Sequence, residues 1–312
     1  MPDRHAATSS SRLRVALAID TSDWHARQMQ RALAALGVAA VPFRLMDAIF
    51  DSGARHGIRV PGFGESLPEA VLVRAVSAGT FEAVTVRLGI LHALRALGVT
   101  VWNDARAIEC CVDKSMTSFL LGRAGIPTPA TWTIQSADAA RRIVEREIPQ
   151  GPLVSKPLFG SQGRGLRLIH TVADVPAGDN VAGVFYLQRF VAAAPGRFQD
   201  LRILVTGGRV VAAMARHADQ WITNIKQGGR PVAAIADAEV AGLALRAASV
   251  VGADFAGVDI IRDSAGRPWV IEVNSMPAWR GLQKVTAANV AAVIASDLVG
   301  ALDARSRRKA AM

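Results

Sequence analysis

Residues 256–277, AGVDIIRDSAGRPWVIEVNSMP, decide the fold. Two apolar runs, 257–262 and 269–274, flank a polar turn at 263–266, the pattern of a β-hairpin. Glu272 and Asn274 stand two apart on an extended strand, so their side chains share a face. A turn centred near residue 265 brings Asp259, on the partner strand, close to both. Strands this apolar normally bury Val or Ile. Two carboxylates and an amide converging there supply hard oxygen ligands, suited to magnesium held between carboxylates and nucleotide phosphates. The plainer alternative is a surface hairpin with one polar face.

Upstream, residues 155–165 (SKPLFGSQGRG) leave a strand at Lys156, pass through a glycine-rich loop and re-enter a strand. Glycine lets backbone N–H groups approach phosphate oxygens, and Lys156 places a positive charge beside them. The spacing is neither a Walker loop nor a dinucleotide fingerprint, and alone it reads equally well as an ordinary turn. Between the two features, charged residues sit inside apolar strands. Asp200 and Arg202 share a face, and Arg216 follows in a strand reached through the turn at 206–208. An arginine so placed is either a structural ion pair or a planar fork aimed at a phosphoryl group. Residues 221–229 (WITNIKQGG) form a loop able to close over an anion, or a solvated loop. His217, beside Arg216, reads as a site-wall residue within reach of an amine proton.

The first hundred residues alternate short apolar runs with helical patterns. Strands are expected at 14–20, 38–43, 71–73, 84–86 and 99–102, with helices at 23–36 and 90–97. Together they predict a small doubly wound α/β domain over residues 12–103, preceded by a disordered tail at 1–11. A polar bridge is expected at 103–113 and a helix at 114–123. Hairpins then pair 153–157 with 166–170 and 201–205 with 210–215. Helices at 239–251 and 284–304 follow, and a separate basic tail is expected at 305–312.

Half of the 312 residues are hydrophobic, enough for a sizeable core. Thirty-six Lys and Arg against 26 Asp and Glu leave a net charge of +10, which favours anionic ligands. The basic residues are scattered and not interleaved with aromatics, which argues against nucleic acid. Cys110 and Cys111 are the only cysteines, so neither a disulfide framework nor a structural zinc site is expected. The polar residues 1–12 carry no signal-peptide stretch, and no run reaches the roughly 18 apolar residues of a membrane span. The expected location is cytoplasmic, with no membrane partner.

In order, Asp113-Lys114, SKPLFGSQGRG, LQRF, DLRILV, NIKQGG, AGVDI and IEVNSMP resemble the ATP-grasp superfamily, and within it the RimK-like carboxylate–amine ligases, which include L-glutamate ligases. The resemblance covers residues 104–300. It implies an ATP-grasp fold, α/β and in part α+β, with an N-terminal doubly wound domain and two α+β subdomains (104–186 and 187–304) clasping ATP. It implies ATP with Mg2+, or Mn2+, and a homo-oligomer, dimer or tetramer. Lys114 and Lys156 match the lysines that meet the nucleotide phosphates, and Gly160, Ser161, Gln162 and Gly163 match the phosphate-side loop. Gln188, Arg189 and Phe190 match the hinge that holds adenine. The family commonly carries Glu at the position of Gln188, whose amide still suits an exocyclic amine or a ribose. Asp200 matches a position at or beside the ribose, and Asn224 a site residue beyond. Arg202 and Arg216, with Lys156, match the basic groups near the transferred phosphoryl, and Asp259, Glu272 and Asn274 match the metal ligands.

The implied reaction activates a carboxylate as an acyl phosphate and passes it to an amine, with glutamate as one substrate. The alternatives are glutamate addition to a one-carbon coenzyme of the tetrahydromethanopterin or methanofuran type, and a nucleotide-binding regulator without turnover. Substrate selectivity is expected in the N-terminal domain and around residues 275–283, where Arg280 is placed to meet a substrate carboxylate.

Overall fold

The computed structural model describes residues 13–160, 162–193 and 198–311, so the expected tail at 1–11 and Ser161 lie outside the described residues. Two compact units result. One holds the described residues through Trp102 together with those from Ala295 on, and the other holds Asn103–Ile294.

The first unit runs β1 (Arg14–Ala18), α1 (Trp24–Ala35), β2 (Ala39–Phe43), a short hairpin of β3 (Ile49–Phe50) and β4 (Ile58–Arg59), β5 (Ala70–Val73), α2 (Phe81–Ala96) and β6 (Thr100–Trp102). Its sheet is parallel in the order β2-β1-β5-β6. β1 from Val15 onward and all of β5 are fully buried, as expected of strands covered on both faces. The strand expected at residues 84–86 is a correction, because these residues lie inside α2. Valine favours strands locally. Here a 16-residue helix, capped by Thr80, buries Ile90, Leu91 and Leu94, and packing overrides propensity.

The second unit runs α3 (Ala105–Val112), α4 (Lys114–Arg123), β7 (Thr131–Ile134), α5 (Ala137–Glu147), β8 (Leu153–Lys156), β9 (Arg167–Ile169), β10 (Phe185–Arg189), β11 (Phe198–Thr206), β12 (Arg209–Ala218), β13 (Arg230–Ala234), α6 (Ala238–Val250), β14 (Phe255–Arg262), β15 (Pro268–Asn274) and α7 (Arg280–Gln283). Its two sheets have the orders β7-β10-β8-β9 and β13-β12-β11-β14-β15. The turn between β11 and β12 needs left-handed backbone at Gly207 (φ 57) and Gly208 (φ 73), which glycine adopts without strain. β10 pairs with β7 and β8, so residues 187–189 stand with the first sheet. The subdomain boundary expected at 186/187 falls within β10.

The bridge expected at residues 103–113 is also corrected. It carries α3, capped by Asp104 and burying Ala105, Ala107, Ile108 and Cys111. Asp113 ends α3 and caps α4, accepting from Ser115 N at 2.8 Å and Met116 N at 3.2 Å. The last helix, α8, spans Val290–Ala310 instead of 284–304, so the basic residues expected as a separate tail extend it. Its start is set by Asn289, whose side chain accepts from Ala292 N at 3.1 Å.

Asn103 is fully buried and uses both ends of its amide. Its Nδ2 donates to Phe255 O (2.7 Å) and Ser275 O (2.5 Å), and its Oδ1 accepts from Asp254 N (2.6 Å) and Phe255 N (3.0 Å). It thereby ties the start of β14 to the end of β15. Asn103→Ala removes four hydrogen bonds, two donated and two accepted by the amide, from a largely buried site. The expected loss is about 3–5 kcal/mol of unfolding free energy, read by denaturant titration.

Candidate active site

The two sheets of the second unit enclose a cleft of about 1020 Å³, counting the part open to solvent. Val154, Lys156 and Gln188 line it from the first sheet. Asp200, Arg216, Asp259 and Glu272 line it from the second.

The hairpin of β14 and β15 sets the floor. Pairing centred on residue 265 matches Ile260 with Val270, Ile261 with Trp269 and Arg262 with Pro268. Continued unbroken, it would oppose Asp259 to Ile271. A β-bulge shifts the register by one residue, so Asp259 opposes Glu272 and Gly257 opposes Asn274. The two carboxylates face each other because of this bulge, whose position nothing in the sequence marks.

Asp259 is the centre of a charge lattice. Arg202, its cross-strand partner, donates to both carboxylate oxygens: Nε to Oδ1, and Nη2 to Oδ2 at 2.7 Å. Arg216 reaches Asp259 Oδ2 at 2.9 Å and grips Asp200 with Nε at 2.7 Å and with Nη2. Asp200, Arg216 and Asp259 are buried. Burial pushes the Asp259 carboxyl up, but Arg202 and Arg216 overcome this and hold it below its ordinary value. Burial disfavours charge on Arg216 too, and Asp259 and Asp200 reverse that effect, so it stays ionised. Asp200, expected at the ribose, is thus bound to Arg216.

The lysines stand opposite. Lys114, first residue of α4, donates to Leu158 O (3.2 Å) and Gly160 O (3.0 Å) and lies 3.9 Å from Glu272 Oε1. Burial lowers its pKa, while Glu272 acts in the other direction. Lys156 is buried more deeply, and burial pulls it down to about 8. Its Nζ donates to Gln188 Oε1 at 2.6 Å. Gly160, Gln162 and Gly163 line the cleft with Asn224, and a Cβ on Gly163 would stand 2.6 Å from Asn224 Oδ1. Only glycine lets the two loops approach this closely. Ser161 lies outside the described residues.

At the hinge, Phe190 and Trp221 meet edge to face at 6.0 Å, and both line the cleft. Arg189 turns away to Glu147, with Nη2 2.5 Å from Oε2 and Nη1 donating to Glu147 O (3.0 Å) and Gly151 O (2.7 Å). His217 is corrected. It is exposed, follows Arg216 by one residue and so points to the other face of the sheet, away from the cleft lining. The sequence reading passed over Tyr186 and Ser118, which back the lysine side, and the hydroxyl pattern around Lys156 gave no signal without the fold.

The RimK-like ATP-grasp domain matches residues 111–298. The chain belongs to this family. It is 31% identical over 303 residues to the tetrahydromethanopterin:alpha-L-glutamate ligase of Methanosarcina acetivorans, covering 84% of this chain and 91% of that protein. It is 33% identical over 229 residues to a probable alpha-L-glutamate ligase of Legionella pneumophila, covering 69% of this chain and 74% of that protein. Among solved structures, it resembles the ATP-grasp ligase PsnB complexed with a phosphomimetic variant of its minimal precursor, Mg and ADP, with TM-score 0.72 and 21% identity over 93% of this chain and 98% of that one. A RimK domain ATP-grasp protein from Sphaerobacter thermophilus gives TM-score 0.65 at 22% identity, over 91% and 98% of the two chains. At these identities the structures establish the ATP-grasp fold. As a RimK-like ATP-grasp protein the chain is an ATP-dependent carboxylate–amine ligase, and the family uses ATP and magnesium.

The floor of this ligase fits the ion. Among the described residues no three His, Cys, Asp or Glu side chains gather as a metal cluster, so the set is two carboxylates and an amide. Asp259 and Glu272 are opposed in register, and Asn274 lies two residues along the same face, its Nδ2 3.4 Å from Gly257 O. All three offer hard oxygens suited to magnesium; Asp259 Oδ2 already meets both Arg202 and Arg216, so the lone pair left on this carboxylate belongs to Oδ1.

Proposed function

We propose that this ligase joins the carboxylate of one small molecule to the amine of another through an acyl phosphate, with glutamate as one of the two substrates. The observation that carries the reading is the cleft itself. Lys114, Lys156 and a glycine-rich loop stand on one wall, and Asp200, Arg216, Asp259 and Glu272 on the other, with Arg202 paired to Asp259.

A free carboxylate repels an attacking amine. Its oxygen attacks the γ-phosphorus of ATP and ADP leaves, giving an acyl phosphate. The amine then adds to the acyl carbon, phosphate departs and the amine gives up a proton. In this reading Lys114 and Lys156 hold the nucleotide phosphates, with backbone groups of Gly160, Ser161, Gln162 and Gly163. Backbone groups of Gln188, Arg189 and Phe190 hold the base, Asn224 completes the nucleotide side, and Asp200 fixes Arg216 beside it. Arg202 and Arg216, fixed by their aspartates, present charge where the phosphoryl group moves. Asp259, Glu272 and Asn274 would hold Mg2+, which would supply positive charge against the phosphates as charge develops; Mn2+ would suit the same donors.

The match to the Methanosarcina ligase over 91% of its length favours a second, narrower reading, in which the partner of glutamate is a one-carbon coenzyme of the tetrahydromethanopterin type. Arg280, exposed at the start of α7, is the candidate to meet a substrate carboxylate. Among the described residues no helix is long and apolar enough to cross a membrane, and we place the enzyme in the cytoplasm. A dimer or tetramer is proposed with Met46, Ile49, Phe50 and Phe81, exposed on the first unit, as its apolar face, and a monomer mass in light scattering excludes it.

The deciding experiment is ADP release with ATP and magnesium, screened against pooled amino acids and amine-bearing coenzyme precursors. Stimulation by a pool containing glutamate, with a product mass matching one amide bond, is the expected result. ATP binding without stimulation by any pool would favour a regulator without turnover.

A further inference from the structure

Lys156 ends β8 opposite Tyr186 of β10, and Gln188 lies two residues on, opposite Val154. Lys156, Tyr186, Gln188 and Val154 therefore share one face of the sheet. Gln188 and Tyr186 are buried. The contacts continue beyond the lysine. Gln188 Nε2 lies 3.3 Å from Tyr186 Oη, and Tyr186 Oη lies 2.8 Å from Ser118 Oγ on α4, one helical turn after Lys114.

The charge on the lysine fixes the direction of the first bonds. An ammonium has donors only, so Gln188 must turn its oxygen to Lys156 and its NH2 outward. That NH2 needs an acceptor, which is Tyr186 Oη. The phenol proton is then available to Ser118 Oγ. Burial pushes the Tyr186 hydroxyl up to about 12, so it keeps its proton throughout the working range. Donors aligned head to tail polarise one another, strengthening the bond at the charged end.

We infer that Ser118, Tyr186 and Gln188 form a hydrogen-bonded chain that orients Lys156 and holds its ammonium charged in the cleft, with Tyr186 and Ser118 acting as positioning residues that never touch the substrate. The inference rests on the reading in which Lys156 meets the nucleotide phosphates. The lysine needs such support. Burial has already drawn its pKa down to about 8, Lys114 from α4 acts in the same direction, and Glu272 from β15 and Asp259 from β14 act in the other. Gln188 supplies no charge, and among the described residues its oxygen is the hydrogen-bond acceptor that meets the Lys156 ammonium. The chain also places both lysines on connected supports, because α4 carries Lys114 at its first turn and Ser118 at its second.

The test is calorimetric binding of AMPPNP, a non-hydrolysable ATP analogue, to the full-length protein from about pH 6 to about pH 10, bracketing the lysine. In the wild type, affinity falls as pH rises through about 8, where Lys156 loses its proton. Tyr186→Phe keeps the ring and removes the acceptor for Gln188. Its fall is expected about one pH unit earlier, making binding roughly fivefold weaker near pH 8, roughly tenfold weaker near pH 9 and unchanged near pH 6. Ser118→Ala should shift the curve in the same direction by less, and it serves alone if Tyr186→Phe does not fold. Gln188→Glu puts a carboxylate against the lysine and should move the fall to higher pH. Loss of packing alone would weaken binding equally at every pH, and that outcome, or superimposable curves, overturns the inference. A wild type that binds AMPPNP and releases ADP while the variant curves stay in place leaves the ligase reading standing and removes only this chain. A wild type that binds no AMPPNP at any pH removes both.

Discussion

Arg216→Ala is expected to lower unfolding free energy by about 3–5 kcal/mol and to abolish ligation. The stability loss follows from what the arginine leaves behind. Asp200 is buried and has Arg216 on both carboxylate oxygens, and Asp259, also buried, would keep only Arg202. Stranding a buried carboxylate costs far more than the ion pair contributes, because desolvation is no longer offset. The sign of the pH dependence follows. In the wild type the folded-state pKa of Asp259 is depressed, so its contribution is present above its ordinary value of 3.8 and is lost as pH falls through the lower, folded value. In Arg216→Ala a buried acid without a partner has a raised folded-state pKa, so the variant should recover part of its deficit as pH is lowered. Between about pH 5 and about pH 8 the wild-type Asp259 contribution is therefore constant, whereas the variant should melt higher at the lower pH. Replacing the pair, as Arg216→Met with Asp200→Leu, should restore much of the stability and none of the activity. A double variant that regains turnover would show the lattice to be structural only.

Much of this site was legible before any coordinates. Period two placed Glu272 with Asn274 and Asp200 with Arg202, and hairpin symmetry brought Asp259 towards them, because strand geometry is local and regular. The helix at 114–123 and the hairpins around residues 161, 207 and 265 were equally readable from caps and turn glycines. What escaped was decided at a distance. The bulge opposing Asp259 to Glu272 depends on how β14 and β15 pack, and no residue announces it. Residues 84–86 carry strand-forming valines that a buried helix face overrules. Asn103 looked like linker polarity, yet its partners lie more than 150 residues away. Gln188 looked like a base contact, and its side chain instead faces Lys156 across a strand pair. His217 failed by the same rule that placed its neighbour: if Arg216 points into the cleft, the next residue in the strand cannot.

Glu272→Gln carries the other large expected effect, a loss of turnover on the order of a thousandfold with the fold intact. The substitution is isosteric, and Glu272 is not part of the Asp–Arg lattice. Its nearest cation, Lys114 Nζ, stands 3.9 Å away, too far for a hydrogen bond. Melting should therefore change little, in contrast to Asp259→Asn, which would disturb Arg202 and Arg216 as well. What the change removes is one negative charge from a set of only two carboxylates and an amide, and a hard cation depends on that charge. Lys114 also loses its opposing carboxylate, so AMPPNP binding without metal should be preserved or tightened. The signature is thus a split: nucleotide still binds, but magnesium no longer strengthens binding or supports ADP release. Calorimetry with and without magnesium, beside an ADP-release assay on the same preparation, reads both halves. Magnesium-dependent turnover persisting in Glu272→Gln would remove this residue from the metal set and leave Asp259 and Asn274 too few to hold the ion.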